Sequence, residues 1–109
     1  MKKDRKIKPS VLQDVVRRIA AVAHPDQIIL FGSAARGRMG PNSDIDLVVV
    51  RRGRFHRGRL LEAIYRNLQG AEAAVDVVVV TPEELARYRN VHCLVVSAAL
   101  KEGKVVYAA

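Results

Sequence analysis

Cysteine is nearly missing from these 109 residues: Cys93 stands alone. No intrachain disulfide can form, and a zinc site built on several cysteines is excluded. A reducing, cytoplasmic setting is the expectation that follows. Tryptophan is absent and aromatic residues are 5% of the chain, so the core has to be aliphatic. No apolar run approaches the roughly 20 residues of a membrane-spanning helix. The basic start, Met1 to Lys8, has the charge of a signal-peptide leader, but Asp14, Arg17 and Arg18 interrupt the stretch that would have to be apolar. Repeats, low-complexity tracts and an interdomain linker are missing too. The expectation is a basic arm over residues 1–9 and one compact domain over 10–109, for which 50% hydrophobic content supplies an ample core.

Charge is present in excess and of one sign, +8 with histidines neutral. It is not spread evenly. Residues 1–9 contribute +4 and residues 51–59, with five arginines and no acid, contribute +5, so the remainder carries −1. The excess therefore belongs to an arm and one segment, suited to an acidic partner, a nucleic acid or an anionic substrate.

The pattern of apolar residues alternates between helical and extended periods. Val11, Leu12, Val15, Val16, Ile19 and Ala20 form a helical stripe that Pro25 ends, with Ser10 and Gln13 at capping-box spacing. Residues 27–31 read as a buried strand, Ala34 to Arg38 as a short helix, and residues 45–50 as a second strand. Arg51 to Arg59 reads as a basic loop. Leu60, Leu61, Ile64, Tyr65 and Leu68 mark a second helix, with Tyr65 on its packing stripe. Residues 75–80 read as a third strand. Thr81-Pro82-Glu83-Glu84 opens a helix, with Thr81 as its N-cap. Leu94 to Leu100 reads as a last helix and Val105 to Tyr107 as a final short strand. Strands alternating with helices predict an α/β or α+β domain, a single sheet covered by helices.

Three features of this pattern carry chemistry. Gly32-Ser33 follows the first strand and opens a turn, where a glycine admits close approach of a phosphate and the following N–H groups and hydroxyl can hold its oxygens. Asp44 and Asp46, two apart at the start of the second strand, project to one face while Ile45 turns to the core. Asp76 joins them if the third strand lies beside the second. Clustered carboxylates repel one another, and a divalent cation resolves this. Oxygen-only donors suit Mg²⁺ bound between carboxylates and substrate phosphates.

Phe31-Gly32-Ser33-Ala34-Ala35-Arg36-Gly37 with Asp44-Ile45-Asp46-Leu47 resembles the G-S-x10-D-x-D signature of the minimal nucleotidyltransferases of the DNA polymerase β superfamily. Val75-Asp76-Val77-Val78 looks like that family's third-carboxylate strand, and Gly103 to Tyr107 is similar to its usual ending. The resemblance implies a nucleotidyltransferase fold with a short mixed sheet, two Mg²⁺ ions, and ATP as substrate. It implies that Gly32 and Ser33 grip the triphosphate, that Asp44 and Asp46 hold the metals, and that Asp76 helps bind the metal at the attacking hydroxyl or takes its proton. Many members carry arginine where Ala34 stands, which leaves Arg36 and Arg38 as candidates for the phosphates. The resemblance further implies an antitoxin whose partner is a helical ribonuclease toxin of the HEPN class, silenced by transfer of AMP to a tyrosine hydroxyl. These residues contain no second, acceptor-binding domain, so the acceptor is expected on another molecule. A non-catalytic antitoxin and an enzyme extending an RNA end stay open as alternatives, as does a homo-oligomer.

The remaining signals are weaker. The arginines of 51–59 suggest an anion-binding or partner-docking loop beside the site. With only Phe55 interleaved, they are poorly suited to stacking single-stranded nucleic acid. His56 and His92 each follow an arginine by five positions, the spacing of the ribonuclease R-x4-H motif, but those enzymes are all-helical and this chain is rich in strands. Cys93, among apolar neighbours, reads as core.

Overall fold

A computed structural model describes residues 8–31, 45–88 and 103–109. In chain order the elements are α1 (Pro9–Ala23), β1 (Gln27–Phe31), β2 (Ile45–Val50), α2 (Arg57–Asn67), β3 (Val75–Val80), α3 (Pro82–Tyr88) and β4 (Lys104–Ala108). The strands form one mixed sheet in the order β3-β2-β1-β4. β1 runs antiparallel to β2 and to β4, whereas β2 and β3 are parallel. This is the expected α+β architecture. The expected helices at 34–38 and 94–100, and Cys93 and His92, lie outside the described residues.

Helix α1 starts differently from the capping-box expectation. Its N-cap is Lys8, with no side-chain cap, and Pro9 occupies the first turn. A proline there needs no amide partner and holds the residue before it extended, so Lys8 takes φ −70° and ψ 131°. Ser10 is thereby drawn inside the helix and loses its capping role. The helix ends where His24 turns left-handed (φ 47°) ahead of Pro25, its N–H donating to Ala20 O. Helix α2 begins at Arg57, three residues before the apolar stripe, because His56 caps it: Nδ1 accepts the Arg59 N–H at 3.1 Å. Arg57 and Arg59 are therefore helical, not loop, residues.

The two faces of the sheet are read off residue parity. Ile45, Leu47 and Val49 of β2, Val77 and Val79 of β3, and Ile28 and Leu30 of β1 face the main core. There they meet Val15, Val16, Ile19 and Ala23 of α1 and Leu60 and Ile64 of α2. Ile19, Ile28, Ile45, Leu47 and Ile64 are fully buried, each contributing about 1.5–3 kcal/mol by leaving water. A polar clasp joins the two helices: Arg18 Nη1 donates to Asn67 O (3.2 Å) and Gln69 O (2.8 Å), and Asn67 Nδ2 donates to Arg18 O (2.8 Å). Asp14 holds Arg18 in place at 2.8 Å, and this hydrogen bond draws the Asp14 carboxyl below its ordinary pKa. The opposite face carries a smaller cluster of Ile29, Phe31, Val48, Val50 and Val80 with Leu85 of α3.

Candidate active site

The second face also carries the carboxylates. Asp46 shares the parity of Val48 and Val50, and Asp76 that of Val78 and Val80. In the parallel ladder Asp46 is the register partner of Asp76. Paired residues on adjacent strands sit about 4.8 Å apart and point to the same side. The condition set on Asp76 holds as far as strand order goes: the third strand lies beside the second, in the register that pairs Asp46 with Asp76. Asp46 is half-buried and Asp76 exposed. On its other flank Asp46 is the partner of Phe31, the residue to which Gly32 is bonded. Asp44 precedes Ile45, whose N–H donates to Ala74 O at 2.9 Å. Gly32, Ser33, Arg36 and Asp44 themselves lie outside the described residues.

Side-chain chemistry on the outer edge of β3 supports this register. The Val77 N–H donates to the Tyr65 hydroxyl at 2.8 Å. Val79 O accepts from Arg57 Nη1, and the same guanidinium forks onto the Glu84 carboxylate at 3.0 and 3.1 Å. Glu84 in turn accepts the Thr81 N–H at 2.9 Å, while Thr81 Oγ1 accepts the Glu84 N–H at 3.1 Å, a reciprocal cap on α3. The Thr81 N–H is the main reason the Glu84 carboxyl titrates below its ordinary value, with Arg57 adding to it. Tyr65 departs from expectation here. It is 42% exposed, and its hydroxyl serves an edge strand. Its place near the apolar stripe masked that role, and no local motif announces it.

The arginine segment is also placed differently from the expectation. It follows the far end of β2, five residues beyond Asp46, a separation of roughly 16 Å at strand rise. Its first residue, Arg51, is held away from Asp46 by the length of the strand. Arg51 and Arg57 flank the Phe55 ring at 5.2 and 5.9 Å. Arg52 pairs with Asp26 at 3.2 Å and Arg57 with Glu84. Among the described residues Arg54 and Arg59 make no side-chain ion pair.

Among the described residues no three His, Cys, Asp or Glu side chains gather as a metal-binding group, and Asp44, the remaining carboxylate of the expected cluster, lies outside them. The donor chemistry of Asp46 and Asp76 nevertheless fits Mg²⁺, which takes hard oxygen ligands and commonly only one or two protein carboxylates. No described helix is long and apolar enough to cross a membrane.

Comparison with known proteins agrees with this fold. Residues 9–106 match the family model described as a nucleotidyltransferase domain. No curated relative matches the chain in sequence. Among solved structures, a candidate nucleotidyltransferase from Sulfolobus solfataricus superposes with a TM-score of 0.61 at 22% identity, covering 91% of this chain and 78% of that one. A toxin–antitoxin complex, MntA-HpeT in a tyrosine-to-alanine variant, gives 0.58 at 17% identity, covering 94% and 74%. A toxin–antitoxin structure with AMP-PNP gives 0.55 at 21% identity, covering 94% and 75%. At these identities the likeness is one of fold.

Proposed function

The chain belongs to the nucleotidyltransferase domain family, and from that premise we propose that it transfers AMP from ATP to a hydroxyl, of tyrosine type, on a partner protein. The partner in this reading is a helical ribonuclease toxin of the HEPN class, which the transfer silences. The observation that carries the reading is the register pairing of Asp46 with Asp76 on one face of the sheet. The toxin–antitoxin structures of like fold, one with AMP-PNP, support the nucleotide and the kind of partner.

In this reading Asp46 and Asp76, with Asp44, hold Mg²⁺, and Gly32, Ser33 and Arg36 hold the triphosphate. Bound Mg²⁺ supplies positive charge that offsets the charge on the phosphates. Asp76, the more exposed of the described pair, orients the incoming hydroxyl and takes its proton. The acceptor oxygen forms a bond to the α-phosphorus as the bond from that phosphorus to the bridging oxygen breaks. Pyrophosphate leaves with the electron pair.

The test combines the chain with Mg²⁺, α-labelled ATP and the product of the gene beside its own. Label should move to that protein, and Asp46→Asn should reduce the transfer by at least about 100-fold with the circular dichroism unchanged. Neutralisation without label transfer would make the chain a binding antitoxin instead. Label on RNA would make it an RNA-end transferase.

A further inference from the structure

Residues 51–59 hold five arginines and no acid, and the fold engages three of them. Arg52 takes Asp26 twice: its N–H donates to one carboxylate oxygen at 2.8 Å, and Nε pairs with the other at 3.2 Å. Arg57 forks onto Glu84. Arg51 joins Arg57 at the Phe55 ring, which packs on the main core. Arg54 and Arg59 are exposed, with no ion-pair partner among the described residues. Arg59 is also locally unfavourable. A helix favours acids in its first turn, where the macrodipole is positive. Helix α3 has Glu83 and Glu84 there, whereas α2 has no acid and opens with Arg57-Gly58-Arg59. Glu84 offsets the first of these charges and no described residue offsets the second. Local rules broken without a structural return are characteristic of functional surfaces.

We propose that Arg54 and Arg59 are the centre of a docking surface for an acidic segment of a partner protein. The mode of recognition is already present within the chain. Both ion pairs that residues 51–59 make are with carboxylates, and Arg57 meets Glu84 with the two-pronged fit of guanidinium to carboxylate. The same pairs anchor the segment at Asp26 and at Glu84, so the two free arginines have less freedom to lose when they bind. Five residues separate them, at most about 18 Å of chain, which one short extended segment can follow. Nucleic acid fits less well. Two free guanidiniums offer two phosphate contacts, against about 6–10 in a surface whose binding falls steeply with salt. Phe55, the one aromatic of the segment, is taken up by the core and by Arg51 and Arg57, so no base can stack on it. An acidic protein needs only these two anchors, because its contacts elsewhere add to them. In the transferase reading, on which this last clause alone rests, the partner is the acceptor: an interface of about 800 Å² per partner, roughly 30 Å across, spans the roughly 16 Å of strand between Asp46 and Arg51.

Fluorescence anisotropy of the full chain with a labelled glutamate-rich peptide tests it. Arg54→Glu with Arg59→Glu should raise the Kd for the peptide about tenfold, mostly through slower association. Circular dichroism should be unchanged and Tm no lower, since an acid in the first turn of α2 suits the dipole. Lys2→Glu with Lys3→Glu makes the same change in net charge outside the segment, and should move that Kd by no more than about twofold. Equal losses in the two variants would leave net charge as the whole cause. A loss confined to single-stranded RNA of equal charge would assign the arginines to nucleic acid. Either result overturns the proposal, as does a peptide that binds wild type and the arginine variant alike. In the label-transfer assay the arginine variant should raise the KM for the acceptor protein and leave kcat unchanged. Absence of any transfer would count against the transferase reading, and the peptide result would still decide the docking surface.

Discussion

Glu84 ties the start of α3 to the outer edge of β3, and its removal can be dissected. One oxygen closes the reciprocal cap with Thr81, and both receive the Arg57 fork. Losing a cap costs about 1 kcal/mol. The ion pair adds less, about 0.5 kcal/mol, because Arg57 is 44% and Glu84 27% exposed. Glu84→Gln keeps an acceptor for the Thr81 N–H but gives up the charge that strengthens that bond as well as the ion pair, so its expected cost is about 0.5–1 kcal/mol. Glu84→Ala gives up the acceptor too, for about 1.5 kcal/mol, or a fall of roughly 6–12 °C in Tm for a domain of this size. Urea unfolding followed by circular dichroism at neutral pH reads both. The pH dependence is a second check. Because the folded state lowers the Glu84 pKa from 4.5, the charge-dependent stabilisation is fully present above the unfolded value and fades as pH falls through the folded one. The gap between wild type and Glu84→Gln should therefore close in acid, below pH 4.5, while that between Glu84→Gln and Glu84→Ala persists. Equal costs for the two variants at neutral pH, or a Gln gap that widens in acid, would refute the assignment.

Three further outcomes follow from the same geometry. Tyr65→Phe removes the acceptor of the Val77 N–H, at a cost of about 0.5–1.5 kcal/mol, and should speed hydrogen exchange at that amide more than at other β3 amides. Arg54→Glu with Arg59→Glu should leave the KM for ATP within about twofold, because neither arginine belongs to the nucleotide site of our reading. A large rise in that KM would place the triphosphate at the wrong end of β2 in our reading. Mg²⁺ with ATP at about 100 times its Kd should stabilise the chain by about 2.7 kcal/mol, and Asp76→Asn should erase that gain in a thermal melt.

The four strands among the described residues were readable from apolar runs bounded by turn chemistry, and the Thr81 cap of α3 from four consecutive residues. Local signals suffice where neighbours in sequence make the structure. They misled at Ser10, where Pro9 claims the first turn and shifts the cap to Lys8. They misled again at Arg57 and Arg59, where a histidine not counted as a cap extends α2 toward its N-terminus. The arginine segment looked close to the carboxylates because it follows their strand directly, yet the length of the strand holds the two apart. Tyr65 and Arg57 act across gaps of 12 and 22 residues in sequence, and such contacts leave no periodic trace. Of the expected site, the pairing of Asp46 with Asp76 was legible only as a condition on strand order, which no single strand states.

Strand order alone would not have been enough, and this explains the polar fittings around β3. Its sequence, Val-Asp-Val-Val-Val-Val, has one polar residue at its second position and then four valines, so apolar burial only weakly distinguishes one register from the next. A slip of one residue would turn Asp76 into the main core against α2 and carry Val77 to the opposite face. The cost of burying that carboxylate disfavours the slip, so the residue proposed for catalysis also helps orient its own strand. The Tyr65 hydroxyl on Val77 and the Arg57 guanidinium on Val79 hold the same register from outside. It follows that Asp76→Val, unlike Asp76→Asn, should do more than remove a carboxylate. It makes the two registers nearly equivalent in burial, and the Tyr65 and Arg57 contacts are then the main restraint left on the pairing with Asp46.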